Sequence, residues 1–544
     1  MRLAEVLKGI PGAENAPAGL SVGGIAVDSR KARAGDLFVA LRGESADGHD
    51  YLAAAAAAGA AAALVERDMA SPPLPCVRVP STAAALARAA ANFHGDPSAR
   101  LTVIGVTGTN GKTTTTYLLE SIVAAAGGKA AVIGTINYRL GGEVVRAGLT
   151  TPFPHELQEL MAAAVGRGAT HLVMEVSSHS AAQGRIEGVR FDAGIFTNLS
   201  HDHLDFHGDM ESYFDAKASF FRKYIPAGGK RAGVAVNADD AWGRRLAREF
   251  PRALAFGSSR QLPVHPRDAT MSWEGSRLIL ETPSGPLDLR TRLIGAYNVS
   301  NVMAAVCGAL LVGIPADAIR AGVERLRTIP GRMEEIPNRL GLHIYVDYAH
   351  TPDGLDRTLS ALRGLARARL ITVFGCGGNR DRTKRPEMGR ISARRSDVVV
   401  VTSDNPRNED PGAIIREIVP GLLAEGFAEA RAAAPLLRDS AVPTPGSAVP
   451  TPGSAVPTRG SAVPTPGSAG PTASFGGPDS GFFEVIEDRR AAIARALALA
   501  RPGDTIAIAG KGHENVQIIG DRRLPFDDRE AVRGLLAGLG AHDA

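Results

Sequence analysis

Short apolar runs, each followed by polar or helical sequence, recur through the middle of the chain and predict an α/β sheet domain. Near residue 100 an alanine-rich helical stretch gives way to LTVIGVTG, a predicted strand, and then to the helical pattern TTTTYLLESIVAAAG. The later runs AAVIGTI, HLVMEV, DAGIFTN and GVAVN predict further strands. The first strand, its loop and its helix follow one another in the order found in phosphate-binding loops.

A second series of apolar runs begins near residue 342, and each run ends in a loop rich in Gly or Asp. The runs are LHIYVDYAH, LITVFGCGG, SDVVVVTSDNPR and DTIAIAGKGHE. Because ligands of open α/β sheets bind beyond the carboxyl ends of the strands, we expect binding residues in these loops. Domain boundaries are predicted near residues 99 and 337, which divides the chain into residues 1–99, 100–337 and 338–544.

Two stretches differ from this pattern. The alanine run from Tyr51 to Val65 is weakly hydrophobic, contains Gly59 and is followed by charged residues, so it predicts a packed helix rather than a membrane span.

From residue 440 to 474 the chain repeats SAVPTPG with close variants. Prolines in each heptad forbid a helix, and the small side chains offer little surface to bury. We predict an extended or disordered surface loop, a tolerated insertion; a partner-binding proline motif is the alternative.

Composition narrows the class of protein. A chain of 544 residues predicts several packed cores. The 61 Lys and Arg residues against 57 Asp and Glu leave a charge of only +4, which gives nucleic-acid binding no support. Cys76, Cys307 and Cys376 lack metal-ligand spacing and suit a reducing compartment. The first residues, MRLAEVLKGIPG, lack the apolar stretch of a secretory signal. These features predict a cytoplasmic enzyme.

The segment between the first strand and its helix is a candidate phosphate-binding loop. Backbone N–H groups at a helix N-terminus and the helix dipole both favour an anion there. Lys112 would neutralise the β- and γ-phosphates of a nucleotide, and the Thr113 hydroxyl would bind Mg²⁺. Val106 stands where the general Walker motif has Gly, so that motif is missed by one residue. The predicted ATP contacts are Gly108, Thr109, Asn110, Gly111, Lys112, Thr113 and Thr114.

The variant GTNGKTT resembles the phosphate loop of the Mur ligases and of the related folylpolyglutamate synthetases. Two longer segments, MEVSSH at 174–179 and TNLSHDHLDFH at 197–207, look like the metal-binding segments of that family. The resemblance implies that Glu175 and His203 bind Mg²⁺ together with Thr113, and it favours His203 over the two neighbouring histidines. A carboxylate that ends an apolar strand, as Glu175 does, is costly to bury unless it meets a cation.

Lys217 in SYFDAKASFF matches the lysine that carries a CO₂-derived carbamate in Mur ligases. Carbamylation requires a neutral amine, and burial among Tyr213, Phe220 and Phe221 would favour that form by lowering the pKa of the lysine. The oxygens of the carbamate would then suit a hard cation. Composition alone predicts a solvated helix lysine here, so the carbamate is implied by the resemblance only.

The resemblance also implies a fold, an α/β protein with the three-domain Mur ligase architecture. That architecture has a small amino-terminal uridine-binding domain, a central domain with a P-loop ATPase-like sheet, and a Rossmann-like carboxyl-terminal domain that binds the amino acid. Asn298, Arg332 and Asp347 are implied as further ATP contacts, with a helix cap for Asn298 and a surface ion pair for Arg332 as alternatives. The residues implied to bind a UDP-muramoyl dipeptide are Ser29, Thr150, Thr151, Ser177, Gln183 and Arg185.

The loop after SDVVVVTS resembles the DNPR motif of Mur ligases that add meso-diaminopimelate. A free amino-acid end requires a guanidinium for its carboxylate and acceptors for its ammonium. Arg380 and Arg407 would supply the former, and Glu514 with the backbone of Gly510 the latter. An ordinary turn is the alternative for the motif taken alone. The predicted diaminopimelate contacts are Arg380, Asp404, Asn405, Pro406, Arg407, Gly510 and Glu514.

The reaction that the resemblance implies is amide-bond formation driven by ATP. The D-glutamate carboxylate of UDP-N-acetylmuramoyl-L-alanyl-D-glutamate would form an acyl phosphate, which the amine of meso-diaminopimelate then attacks. ATP, Mg²⁺ and CO₂ as the Lys217 carbamate are the implied cofactors, with His350 a candidate base. We expect a monomer. A folylpolyglutamate synthetase, a lysine-adding Mur ligase and a nucleotide-dependent regulatory protein are the alternatives.

Overall fold

The structure is a computed structural model that describes residues 1–14, 16–17, 19–43, 46–430 and 481–541. The heptads at 440–474, predicted to be a surface loop, lie outside the described residues. Within the five described ranges, no helix has both the length and the apolar character that a membrane span requires.

The amino-terminal part is a small parallel sheet with helices packed against it. Its strands lie in the order β1-β2-β3-β4 and are β1 Gly24–Ala26, β2 Asp36–Val39, β3 Ala62–Val65 and β4 Cys76–Arg78. Its helices are α1 Leu3–Val6, α2 Leu52–Ala57 and α3 Thr82–Phe93. Helix α3 begins after Ser81, whose side chain accepts a hydrogen bond from the N–H of Ala84 and so satisfies one free donor of the first turn.

The helix predicted across the whole alanine run from Tyr51 to Val65 is wrong in its second half. Helix α2 ends at Ala57, Gly59 turns the chain at φ +91°, and Ala62–Val65 forms strand β3. All four residues of β3 are buried. A strand with neighbours on both sides in a parallel sheet is apolar on both faces, so its sequence shows no alternation that separates it from a helix.

The central part is built on a sheet whose order is β12-β11-β10-β5-β9-β6-β7-β8. The neighbours from β12 to β6 are parallel, whereas β7 and β8 add an antiparallel edge. The strands are β5 Thr102–Thr107, β6 Ala130–Ile133, β7 Asn137–Leu140, β8 Glu143–Arg146, β9 His171–Glu175, β10 Ala193–Phe196, β11 Gly233–Asn237 and β12 Leu254–Phe256. A separate antiparallel sheet follows, formed by β13 His265–Ser272, β14 Gly275–Glu281 and β15 Leu287–Thr291.

Helices cover both faces of the central sheet. Along β5, Ile104 and Val106 join the apolar cluster that contains Leu118, whereas Val103 joins the opposite cluster that contains Leu157. This alternation places apolar side chains of β5 on both faces of the sheet. The helices are α4 Lys112–Ala125, α5 Pro154–Gly166, α6 Ser178–Ala182, α7 Leu204–His207, α8 Met210–Ser219, α9 Ile225–Ala227, α10 Ala241–Glu249, α11 Ala296–Leu311 and α12 Ala316–Arg325.

The carboxyl-terminal part has a second, mainly parallel sheet in the order β16-β17-β22-β18-β19-β21-β20. Its strands are β16 Glu334–Glu335, β17 His343–Asp347, β18 Leu370–Phe374, β19 Val398–Val401, β20 Ala428–Glu429, β21 Phe482–Val485 and β22 Thr505–Ala509. The hairpin β23 Val516–Ile519 and β24 Arg522–Pro525 follows. The helices are α13 Pro352–Leu365, α14 Lys384–Arg395, α15 Pro411–Ala424, α16 Arg489–Leu499 and α17 Asp528–Gly538. The loops at the carboxyl ends of β17, β19 and β22 therefore meet at one edge.

Candidate active site

The loop between β5 and α4 is shaped by two glycines. Gly108 and Gly111 have φ values of +145° and +87°. A Cβ on Gly108 would lie 1.9 Å from Thr197 Oγ1, and one on Gly111 would lie 2.2 Å from Asn301 Oδ1. Neither position tolerates a side chain, because each needs a backbone conformation that favours glycine and each lies against another segment. The structure confirms the predicted strand, loop and helix.

Two lysines meet at this loop. Lys112 Nζ donates to the carbonyls of Gly108 at 2.9 Å and Thr109 at 2.8 Å. Lys217 Nζ donates to the same Gly108 carbonyl at 2.9 Å and lies 4.5 Å from the centre of the Tyr213 ring. Lys217 is buried, and this burial, together with the charge of Lys112, holds the pKa of Lys217 well below its usual value. A neutral amine is thus favoured at this position.

Glu175 ends strand β9 beside the same helix N-terminus, and its carboxylate is buried. Thr113 Oγ1 donates to Glu175 Oε1 at 2.9 Å. The Thr135 N–H donates to Oε1 and the Thr135 hydroxyl to Oε2, both at 2.9 Å. Two predicted metal ligands, Glu175 and Thr113, are therefore in direct contact, and Thr135 is an additional partner that the sequence did not single out.

His203 is the residue before α7, and its backbone has a φ of +53°. Its Nε2 is 3.4 Å from Asp202 Oδ2, and its ring lies edge-on to His179 with centroids 4.9 Å apart. Burial lowers the pKa of His203, and the charges of Lys217 and Lys112 add to the effect against that of Asp202. A neutral imidazole is a metal ligand, whereas an imidazolium is not. Across the described residues no three His, Cys, Asp or Glu side chains converge on one point that could hold a metal ion.

Arg332 approaches the phosphate loop from the start of the carboxyl-terminal part. Its guanidinium stacks 4.6 Å from the centre of the Tyr348 ring and donates to Thr113 Oγ1 at 3.3 Å. Its Nε is buried and has no hydrogen-bond partner among the described residues. Arg332 is thus at the site and not in the surface ion pair that was its alternative. An unpartnered donor beside a phosphate loop favours an anionic ligand.

Asp347 and Asn298 line the same pocket as Arg332, but the protein itself occupies their polar atoms. Asp347 Oδ2 accepts the Met333 N–H at 2.7 Å, and Oδ1 accepts from Ala349 N and Thr358 Oγ1 at 2.9 Å each. Burial raises the pKa of Asp347. Asn298 lies inside the first turn of α11, where it donates to Ile294 O at 2.8 Å, so it is not the residue that caps the helix. Both residues stay predicted ATP contacts.

A cavity of about 660 Å³ adjoins this pocket, with which it shares Tyr297 and Arg357. It lies between the central and carboxyl-terminal parts and is large enough for a nucleoside. The two parts also touch at the phosphate loop, where Asn110 Nδ2 donates to Asp353 Oδ2 at 2.7 Å. The site is therefore built from both parts of the chain.

The residues predicted to hold the muramoyl peptide form one network, except Ser29. Thr151 Oγ1 donates to the Glu175 carbonyl at 2.8 Å and accepts from Ser177 N at 3.2 Å. Arg185 donates to the Thr151 carbonyl at 3.1 Å and to Gln183 Oε1 at 2.9 Å. Thr150 Oγ1 lies 3.1 Å from Thr135 Oγ1, which binds Glu175. Ser29 follows β1 in the amino-terminal part, and no hydrogen bond among the described residues links it to this network.

The loop after β19 meets the loop after β22, although β18 lies between these two strands in the sheet. Asn405 Nδ2 donates to Glu514 Oε2 at 2.7 Å, and Gln517 Nε2 donates to the Asp404 carbonyl at 2.9 Å. A Cβ on Gly510, which has φ +120°, would lie 2.3 Å from Asp404 Oδ2. The structure thus groups Asp404, Asn405, Gly510 and Glu514.

Arg407 completes the group at φ +53°, where its backbone pairs with Ile518 and its guanidinium donates to Gly378 O at 2.8 Å. Burial lowers the pKa of Arg407, and the charge of Arg380 lowers it further. Two guanidinium groups close enough for their charges to interact favour the binding of an anion nearby. Pro406 lies between Asn405 and Arg407, and its carbonyl passes close to Gly378.

Several residues that hold these loops were not predicted. Arg385 is fully buried and binds Glu409 at 2.9 Å and Glu417 at 2.8 Å, and Glu409 in turn accepts from Asn379 N at 2.5 Å, next to Arg380. Nothing in RTKRPEMG marks Arg385 as buried, because its partners lie more than twenty residues away. The others are Thr135, Asn198, Asp353 and Lys511.

Family models match the chain in three consecutive ranges. "Mur ligase family, catalytic domain" matches residues 21–94, "Mur ligase middle domain" matches 106–309, and "Mur ligase, glutamate ligase domain" matches 331–453. A protein from Geobacter metallireducens named UDP-N-acetylmuramoyl-L-alanyl-D-glutamate--2,6-diaminopimelate ligase is 42% identical over 542 residues, which cover 98% of each chain. One of the same name from Gloeobacter violaceus is 41% identical over 522 residues, which cover 95% of this chain and 94% of the relative.

Solved structures agree in fold. A structure described by that same ligase name has a TM-score of 0.63 at 29% identity and covers 95% of both chains. The MurF ligase of Thermotoga maritima in complex with ADP has a TM-score of 0.60 at 18% identity, covering 96% of this chain and 99% of the other. At 18% identity the match to the MurF ligase supports a shared fold and nothing more.

Proposed function

We propose the following function on the basis that the chain belongs to the Mur ligase family. The protein is an ATP-dependent, ADP-forming ligase of peptidoglycan precursor synthesis. It adds meso-diaminopimelate to the D-glutamate of UDP-N-acetylmuramoyl-L-alanyl-D-glutamate. The observation that carries this proposal is the pairing of the DNPR loop with the GKGHE loop, in a chain 42% identical over nearly its full length to a ligase of that name.

The reaction has two steps. An oxygen of the glutamate side-chain carboxylate attacks the γ-phosphorus of ATP, the bond to the β-phosphate oxygen breaks, and ADP leaves an acyl phosphate behind. The amine of diaminopimelate then attacks the acyl carbon, inorganic phosphate leaves, and the nitrogen loses a proton. Lys112 and Arg332 supply positive charge beside the transferred phosphoryl group. Lys112 must first exchange its two loop carbonyls for phosphate oxygens.

Mg²⁺ and a carbamate on Lys217 fit the residues present. The Glu175 carboxylate is buried next to the Thr113 hydroxyl, and the lowered pKa of Lys217 provides the neutral amine that reacts with CO₂ to give a carbamate and a proton. When bound, the metal would stabilise the charge on the phosphates. Glu175, Thr113, His203 and the carbamate oxygens would hold it. His350, whose pKa is lowered by burial, donates Nδ1–H to the Tyr348 carbonyl at 2.7 Å. Its Nε2, for which the described residues provide no hydrogen-bond partner, is a candidate base.

The choice of diaminopimelate follows from charge. In this proposal Arg407 and Arg380 bind its distal carboxylate and Glu514 binds its distal ammonium; the charge interaction of the two arginines and the Asn405–Glu514 hydrogen bond support this. Lysine lacks the distal carboxylate, so its binding would leave these guanidiniums unpaired, a difference worth up to about 10⁴-fold in specificity. The reaction takes place in the cytoplasm in this proposal, with the protein acting as a monomer.

A direct test is to incubate the protein with ATP, Mg²⁺, the UDP-muramoyl dipeptide and either diaminopimelate or lysine, and to weigh the product. We expect the diaminopimelate adduct, with ADP formed only when both acceptor and amine are present. A lysine adduct that forms faster would contradict the amino-acid choice. ATP hydrolysis that needs neither acceptor nor amine would contradict the ligase and indicate a regulatory nucleotide-binding protein.

A further inference from the structure

The GKGHE loop contains a lysine for which the reaction above has no use. Lys511 is completely buried, and its Nζ lies 2.6 Å from Val516 O, 3.1 Å from Asn405 Oδ1 and 3.4 Å from Glu514 Oε2. A buried ammonium is costly unless it is paired and hydrogen-bonded. Lys511 is nevertheless buried where the two predicted amino-acid-binding loops meet.

The contacts of Lys511 fix the orientation of Asn405. Asn405 Oδ1 accepts from Lys511 Nζ and also from Ile518 N at 3.0 Å. A flipped amide would place its NH₂ group against both donors, so Oδ1 must face Lys511. Asn405 Nδ2 is then directed at Glu514 Oε2, 2.7 Å away. One buried cation therefore determines where the Asn405 amide points.

The same contacts give the two carboxylate oxygens of Glu514 different surroundings. Oε2 accepts from Asn405 Nδ2 and faces Lys511, so the protein already occupies it. Oε1 has only a long contact, 3.5 Å from the Tyr348 hydroxyl, among the described residues. Glu514 is also half-buried rather than enclosed. Oε1 is consequently the oxygen that remains for a cationic ligand.

We propose that Lys511 is a positioning residue for the incoming diamino acid. It clamps Asn405 and Glu514 Oε2, and this presents Glu514 Oε1 to the distal ammonium of the substrate, which Lys511 itself never touches. The inference rests on the proposed function, because it assumes that a diamino acid binds at this loop pair. Without the clamp the Glu514 carboxylate is free to rotate about its side-chain torsions, and the ammonium loses a fixed acceptor.

The first test compares Lys511→Met with Lys230→Met. Lys230 is a matched control, since its Nζ binds two carbonyls, Ser98 O and Leu101 O, and one carboxylate, Asp192 Oδ2, away from the loop pair. We expect Lys511→Met to raise the KM for diaminopimelate about tenfold or more and to change the KM for ATP and for the UDP-dipeptide by less than about twofold. Lys230→Met should leave all three KM values within about twofold of wild type. An unchanged KM for diaminopimelate in Lys511→Met would overturn the proposal.

A double-mutant cycle separates positioning from simple destabilisation. If Lys511 acts through Glu514, Lys511→Met should add less than about twofold to the KM for diaminopimelate once Glu514→Gln is present. Independent, multiplicative effects would contradict the inference. Should Lys511→Met fail to fold, Lys511→Gln keeps a donor for Asn405 Oδ1 but no charge, and it enters the same cycle with the same two outcomes. If the wild-type protein forms no product with diaminopimelate, the proposed function itself is refuted. Failure of the proposed function is therefore distinguishable from failure of the positioning role of Lys511.

Discussion

Lys217 and Lys112 donate to a single carbonyl oxygen, that of Gly108. Two cations that share one acceptor repel each other, and the buried one releases its proton more readily. The pKa of Lys217 is accordingly lowered by burial and by Lys112. Burial and the neighbouring charge thus favour the neutral amine that the proposed carbamate of Lys217 requires.

Lys217→Ala should reduce ligase activity by about 10²–10³-fold or more, because the carbamate oxygens that would help to hold the metal are lost. Added formate or acetate should restore part of the rate by occupying the vacated space. Steady-state product formation with and without the carboxylate is the measurement. Lys223→Ala is the control, since this exposed lysine pairs with Glu187 at the surface. Full activity of Lys217→Ala without added carboxylate would refute a role for Lys217.

At the scale of elements, the phosphate loop depends on its glycines through space as well as through backbone conformation. Gly108→Ala should lower kcat/KM for ATP by about 10²-fold, because the new methyl group would meet Thr197 and displace the loop. Gly127→Ala is the matched control: Gly127 follows the same helix at φ +78°, and no atom lies within 4 Å of the position that an added Cβ would take. It should cost roughly 1–2 kcal/mol of stability and leave ATP kinetics unchanged. If both variants lost kcat/KM for ATP equally, the cause would be general backbone strain and not the contact of the new methyl group with Thr197.

A buried ion pair between helices α16 and α17 supports the end of β22, from which the GKGHE loop starts. Arg489 binds both oxygens of Asp528, at 2.7 and 2.8 Å, and also donates to Ala509 O at the end of β22. Neither side chain of the pair is exposed. The pair therefore fixes α16 and α17 against the strand that precedes the GKGHE loop.

Asp528→Ala should lower the free energy of unfolding by about 3–5 kcal/mol, because a buried guanidinium would lose its counter-ion. Urea denaturation measures this. Glu530→Ala removes an exposed partner of Arg533 on the same helix and should change stability by less than about 0.5 kcal/mol. A small effect of Asp528→Ala would show that water or another group replaces the lost partner.

At the scale of the whole molecule, the candidate site is assembled from two parts of the chain. The central part supplies the phosphate loop and Glu175, and the carboxyl-terminal part supplies Arg332 and Asp353, which reaches Asn110. Strands β20 and β21 pair in parallel at the far edge of the carboxyl-terminal sheet, through Ala428 and Phe482. Strands β20 and β21, which precede and follow residues 431–480 in the chain, are distant in the sheet order from β17 and β22.

Removal of residues 440–474 should leave turnover unchanged within about twofold, since residues 431–439 and 475–480 remain to connect the two paired strands. The measurement is kcat and the KM of each substrate for the shortened and the full-length protein. A clear fall in kcat would show that the heptads act on the catalytic part. Loss of binding to another protein, with kcat intact, would favour the partner-binding alternative.

Part of the site could be predicted from local sequence because its residues are close in the chain. Gly108 to Gly111 form a loop between a strand and a helix, and that order of elements was readable from the sequence. The pairing of Asp404–Arg407 with Glu514 was also accessible, because both follow apolar strands and parallel strands end at one edge. The burial of Lys511 was not accessible, because a lysine between two glycines, Gly510 and Gly512, gives no local sign that it is buried.

The sequence by itself determined where the strands that lead into the candidate binding loops lie and which residue types those loops carry, because each depends on residues within a few positions of one another. Only the tertiary structure decided which oxygen of Glu514 has no more than a long contact among the described residues, that Lys217 and Lys112 share Gly108 O, and that Ala62–Val65 is a strand. The physical reason is the same in each case. Burial, hydrogen-bond partners and strand neighbours are set by residues far away in the chain, so they exist only once the chain has folded.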